Sequence, residues 1–174
     1  MTTTAGVGAA AATTAITRRN ELTTTQLWVA LASVFAGGIH LAVTAEHLEH
    51  WWVYGTFFIV TGLFQAAYAG LILRRPTWPV ALTGIVVNLG IVLVWVASRT
   101  TGLPITPPED ITSHRGTHEI EAVGPADLAA TGAELAVVCL LVTLLPPRMR
   151  RVTVNLLLVT GLCLWVLRLS GALG

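Results

Sequence analysis

Residues 26–45 read QLWVALASVFAGGIHLAVTA, from Gln26 to Ala45, and this stretch decides the fold. It holds no Asp, Glu, Lys or Arg, and His40 is its one ionisable side chain. About 20 such residues wound as a helix rise roughly 30 Å, the thickness of the hydrocarbon layer of a bilayer. The run ends in Val43-Thr44-Ala45, a small-residue pattern of the kind a signal peptidase cleaves. About 19 apolar residues exceed a signal-peptide core, however, so the segment is expected to stay as a first membrane helix.

Working outward, the same length of apolar chain recurs, and the pattern predicts helices over 26–45, 51–73, 80–98, 128–145 and 152–169. Their ends are marked by Arg74, Arg75 and Pro76, by Pro79, by Pro104, Pro107 and Pro108, and by Pro146 and Pro147. Proline lacks the amide proton a continuing helix needs. The expected fold is all-α, a polytopic membrane bundle of about five transmembrane helices. Residues 1–24, rich in Thr and Ala and without apolar periodicity, read as a disordered tail. Residues 25–174 read as a single transmembrane domain with a long extracytoplasmic connection at about 99–127.

Composition supports this assignment and removes others. The 174 residues are 54% hydrophobic and 11% charged, too apolar for an ordinary water-soluble domain. All ten basic residues are arginine and the net charge is +1, with no polybasic block, so nucleic acid is not an expected partner. Cys139 and Cys163 sit in apolar runs without CxxC spacing and read as packing residues. The lipid bilayer is the expected medium, with a homo-oligomer or a membrane-complex partner left open.

Arginine placement orients the chain. Arg18, Arg19, Arg74, Arg75, Arg148, Arg150 and Arg151 fall on connections that alternate spans place on one side, against Arg99, Arg115 and Arg168 on the other. Positive residues accumulate on the cytoplasmic side, which predicts a cytoplasmic N-terminus and a multi-pass protein of the plasma membrane. Trp28, Trp51, Trp52, Trp78, Trp95 and Trp165 all fall near predicted helix ends, where indoles favour the headgroup region.

That orientation gathers the chemistry-bearing residues at one end. Glu46-His47-Leu48-Glu49-His50 joins the first two helices, and the 99–127 connection holds Glu109, Asp110, His114, His118, Glu119 and Glu121. Glu46 and His50, like His114 and His118, stand four apart, and His47 and His50 three apart, so helical segments would make them neighbours able to share a cation. Neutral imidazole with carboxylate suits Zn, Fe, Cu or Mn in the divalent state, whereas scarce Met and the placement of Cys argue against a soft Cu(I) site. His40, inside the first helix, must face protein, as a histidine bonded to a neighbouring helix, a ligand or a proton relay. Glu134 lies about seven residues inside the fourth helix, where ionisable groups are costly and usually paired or functional. With Asp127 and Thr131 it forms a polar stripe that Gln65 and Asn88 could extend as interhelical hydrogen-bonding groups. Arg99 and Arg168 are the nearby cations able to pair with these acids. The candidate metal ligands are therefore His40, Glu46, His47, His50, His114, His118 and Glu134.

Gly38-Ile39-His40-Leu41-Ala42-Val43, Glu46-His47 with Trp51-Trp52-Val53-Tyr54-Gly55-Thr56-Phe57-Phe58, Asn88-Leu89-Gly90, Ser98-Arg99-Thr100-Thr101-Gly102-Leu103-Pro104 and Glu121-Ala122-Val123-Gly124-Pro125-Ala126-Asp127 carry a likeness over roughly residues 26–145. In these segments the chain resembles a group of small, uncharacterised bacterial polytopic membrane proteins. The resemblance implies a bacterial cell membrane and brings no activity or catalytic residue with it.

The expected function is binding of a divalent transition metal at an extracytoplasmic His/carboxylate site, for metal handling or metal-dependent chemistry at the membrane surface. An enzymatic version would use a metal-bound water with Glu134 or Glu46 as proton acceptor. The alternative is an accessory or structural membrane subunit without a ligand. A haem- or quinone-binding protein is a third reading, for which bis-histidine haem would need a second embedded histidine beside His40. No nucleophile motif, phosphate loop or haem-attachment motif is present.

Overall fold

The computed structural model describes residues 23–103, 105 and 123–171, and its regular structure is entirely helical. Five helices follow in order: α1 (Thr24–His50), α2 (Trp52–Arg74), α3 (Trp78–Thr100), α4 (Pro125–Thr143) and α5 (Pro147–Leu169). All five are long and apolar enough to cross a bilayer. The chain is an integral membrane protein of the helical-bundle class.

Local chemistry sets the boundaries. Thr23 caps α1: its hydroxyl accepts from the Gln26 amide at 3.3 Å while the Gln26 side chain accepts from the Thr23 amide at 2.9 Å. The helix then runs to His50, five residues past the expected end at 45, because no Gly or Pro interrupts 39–50 and Ala45, Glu46, Leu48 and Glu49 are adequate helix formers. Glu46 to His50 are therefore the last turns of α1 and not a connection; only Trp51, in an extended conformation, separates α1 from α2. Helices α4 and α5 both begin earlier than expected, at Pro125 and Pro147, since a first-turn proline loses no hydrogen bond there. The Gly124 amide donates to the Asp127 carboxylate at 2.8 Å, closing the start of α4.

The buried faces repeat at helical spacing, small and polar residues standing among the Val and Leu. On α1 they are Gln26, Val29, Ala30, Ser33, Ala36, Gly37 and His40; on α4, Ala130, Glu134, Val137, Val138, Leu141 and Val142. Leu, Val and Phe cover the outside, as lipid contact requires, so packing depends on close approach rather than on hiding apolar surface from water. A Cβ at Gly37 would lie 3.0 Å from the Gly62 carbonyl oxygen, and one at Gly62 would strike Leu41, so α1 and α2 meet at backbone distance. Helix α1 packs most extensively on α2 and next on α4, and α3 leans on α4. An apolar core of Val29, Tyr68, Ile72, Ile85, Val137 and Leu141 fills the end distant from His50. There the Tyr68 hydroxyl donates to the Val80 carbonyl at 3.0 Å, tying α2 to α3. Helix α5 touches α4 only lightly and buries no residue.

Candidate functional site

Each of the first four helices contributes one hydrogen-bonding side chain to a single point in the bundle. His40 of α1 and Glu134 of α4 meet with Nε2 and Oε1 2.8 Å apart, at 5% and 1% exposure. Gln65 of α2 donates through Nε2 to the same Glu134 oxygen and to Asn88 Oδ1 of α3, both at 3.3 Å. Asn88 donates in turn to the Gly84 carbonyl at 2.8 Å. Gln65 and Asn88 are fully buried. At 1.5 Å per residue, His40 lies about 15 Å from the His50 end of α1 and Glu134 about 13 Å from the start of α4.

The pair has a definite electrostatic logic. An isolated carboxylate or imidazolium surrounded by apolar helices is strongly disfavoured, while a pair in which His40 Nδ1 keeps its own proton and a second proton is shared with Glu134 across 2.8 Å carries no net charge. With Glu134 ionised, His40 Nε2 carries the proton and donates; with Glu134 protonated, the roles reverse. Both states keep the Gln65 donation to Oε1. Two polar atoms of this network, His40 Nδ1 and Gln65 Oε1, have no partner among the described residues, and neither does the buried Ser33 Oγ. Ser33 lies seven residues before His40 on the same face of α1.

Nearer the His50 end the candidate residues spread out. The half-buried His47 donates from Nδ1 to the Val43 carbonyl at 2.8 Å, which leaves Nε2 with its lone pair. Its ring packs on Phe58 with centroids 4.0 Å apart, and His40 packs on the same Phe58 at 5.5 Å. His50 is exposed and stacks on Tyr54 at 6.0 Å; Glu46 is exposed. Arg99 donates to Asp127 at 2.9 Å, bracing α3 against α4. Tyr54 donates to the Ile105 carbonyl at 3.1 Å.

Of the seven expected ligands, the structure brings His40 and Glu134 into direct contact and holds Glu46, His47 and His50 on the last turns of α1. His114 and His118 lie outside the described residues. Among the described residues, no group of three or more His, Cys, Asp or Glu side chains is placed to hold one metal ion. Gln65 and Asn88 join the centre as the interhelical hydrogen-bonding groups expected of them, whereas reading by residue type passed over Phe58. The available signal was the occurrence of one polar residue at mid-span in each of four successive helices. Compared with known proteins, the chain matches no family model, no curated protein and no solved structure.

Proposed function

We propose that the protein handles a cation inside the membrane, with the His40–Glu134 pair as its working centre and a proton as the cation held there. The observation that carries this reading is the contact itself: two ionisable groups from different helices, 2.8 Å apart and almost wholly enclosed. Interhelical polar contacts need no ionisable group, as Gln65 and Asn88 demonstrate in the same network. Ionisable residues within a span are expensive and by default mark a site of function. A His/Glu pair that shares one proton in addition to the Nδ1 proton of the imidazole is neutral, and giving the shared proton up leaves a buried negative charge, so release is coupled to arrival of another cation. On the resemblance and the arginine bias, the membrane is the bacterial plasma membrane and the His50 end faces outward.

A divalent transition metal, Zn, Fe, Cu or Mn, is the second reading, favoured by the unpartnered Nδ1 of His40 beside the Glu134 carboxylate. Such an ion would displace the proton held there.

Infrared difference spectra of the purified protein across a pH titration, with elemental analysis of the same sample, test both. The expected result is a protonation-linked carboxyl band that disappears in Glu134→Gln and shifts in His40→Asn. Absence of any Glu134-dependent band at every pH overturns the proton reading. Stoichiometric metal lost in either variant would establish the second reading in its place, and neither signal would leave the accessory-subunit role.

A further inference from the structure

The seam between α1 and α2 is closed in two different ways. Gly55, Phe58 and Gly62 of α2 follow at three- and four-residue spacing on the face turned to α1. At Gly55 the side chain of Leu48 seats directly on the α2 backbone, with Leu48 Cα only 2.9 Å from where a Cβ would stand. At Gly62, the Gly37 carbonyl oxygen would lie 3.0 Å from such a Cβ. At these two levels the seam opens only if the helices separate. Between them it is filled by the Phe58 ring, flanked by two imidazoles: His47 at 4.0 Å and 45° on one side, His40 at 5.5 Å and 46° on the other. The two imidazoles differ in environment, His47 being half-buried near the helix end and His40 enclosed.

We infer that the Phe58 ring is the gate between the His50 end of the bundle and the His40–Glu134 pair, and that His47 is the station on its outer side. This deepens the proposed function and rests on His40–Glu134 being its centre. An aromatic ring moves by rotation about two side-chain bonds while the helix backbones stay in place, so this is the point of the seam that opens at lowest cost. His47 is suited to its position: the Val43 carbonyl fixes its ring through Nδ1, and the free Nε2 can take up a proton or a metal ion before it passes Phe58. The ring also keeps water from His40, whose contact with Glu134 depends on a dry surrounding for its strength.

Carbethoxylation of histidine by diethylpyrocarbonate, read peptide by peptide by mass spectrometry on the full chain in detergent, measures this access. In the native protein the expected order of rates is His50, then His47, then His40. In Phe58→Ala the His40 rate rises by about tenfold or more, the factor given by removing ~1.4 kcal/mol from an opening barrier. The His50 rate stays unchanged and serves as the internal control. Phe58→Leu, which keeps most of the volume, gives a smaller rise in the same direction and stands in should the alanine variant fail to fold. An unchanged His40 rate in a folded Phe58 variant, or native His40 reacting as fast as His50, overturns the gate. The measurement reports entry to His40 whatever the pair binds, so it can fail while the infrared titration succeeds, and the reverse.

Discussion

Helices α4 and α5 are both long enough to span a bilayer, and the most apolar window of α5 is more hydrophobic than that of α4. Their places in the molecule are opposite. Helix α4 buries a face from Ala130 to Val142, receives His40 and Gln65 on Glu134, and receives Arg99 on Asp127. Helix α5 buries nothing and supplies no side chain to the polar centre. Apolarity earns a helix its place in lipid, but lipid solvates Leu as well as a neighbouring helix does. What sets α4 apart is Glu134, bonded to His40 of α1 and Gln65 of α2, and Asp127, paired with Arg99 of α3.

The largest expected effect sits at the polar centre. Glu134→Leu strands the Nε2 donor of His40 and leaves Gln65 Nε2 with Asn88 alone, and should cost about 2 kcal/mol, the upper range for a polar contact between membrane helices. Glu134→Gln keeps an acceptor oxygen and should recover at least half of that. Unfolding in mixed micelles of rising sodium dodecyl sulfate content measures both, and a Glu134→Leu cost no larger than that of a substitution on α5 would erase the contrast between the helices. A smaller effect belongs to Asp127, which closes the start of α4 and pairs with Arg99 where side chains are partly exposed. Asp127→Ala should cost about 1 kcal/mol, the sum of a lost cap and a partly screened ion pair. If high salt leaves the difference between native and variant unchanged, the cap alone accounts for it.

The smallest effect is predicted on α5. Leu158 is 67% exposed, so Leu158→Ala should shift unfolding by less than about 0.5 kcal/mol. A chain ending after Pro146 should retain the transition of α1–α4 and the slow carbethoxylation of His40. A truncated chain whose His40 reacts freely would show that α5 supports the centre through contacts that the single chain does not reveal.

Much of this molecule is legible residue by residue. The five spans, the proline and arginine punctuation and the burial of His40 and Glu134 follow from local properties: length of apolar run, absence of an amide proton, and cost of charge in lipid. The expectation that Gln65 and Asn88 act as interhelical hydrogen-bonding groups, and that Arg99 pairs with one of the outer acids, agrees with the bonds observed. Three boundaries were less legible, the start of α4 by three residues. The last turns of α1 read as a connection because Glu46, His47, Glu49 and His50 are polar, although polarity does not stop a helix that has already left the hydrocarbon. The start of α5 was hidden because its first turn is Arg-rich rather than apolar.

By itself, then, the sequence determined that this chain lies in a membrane, how many times its helices can cross, and which few polar residues must be sheltered there. Tertiary structure alone decided that His40 and Glu134, 94 residues apart, share a hydrogen bond, and that Phe58 stands between two imidazoles. The physical reason is that hydropathy is summed along one helix, whereas a meeting of side chains depends on the rotation and depth of each helix against its neighbours. Between α1 and α2 backbone contacts at Gly37, Gly55 and Gly62 fix the approach, which a reading of one helix at a time cannot place.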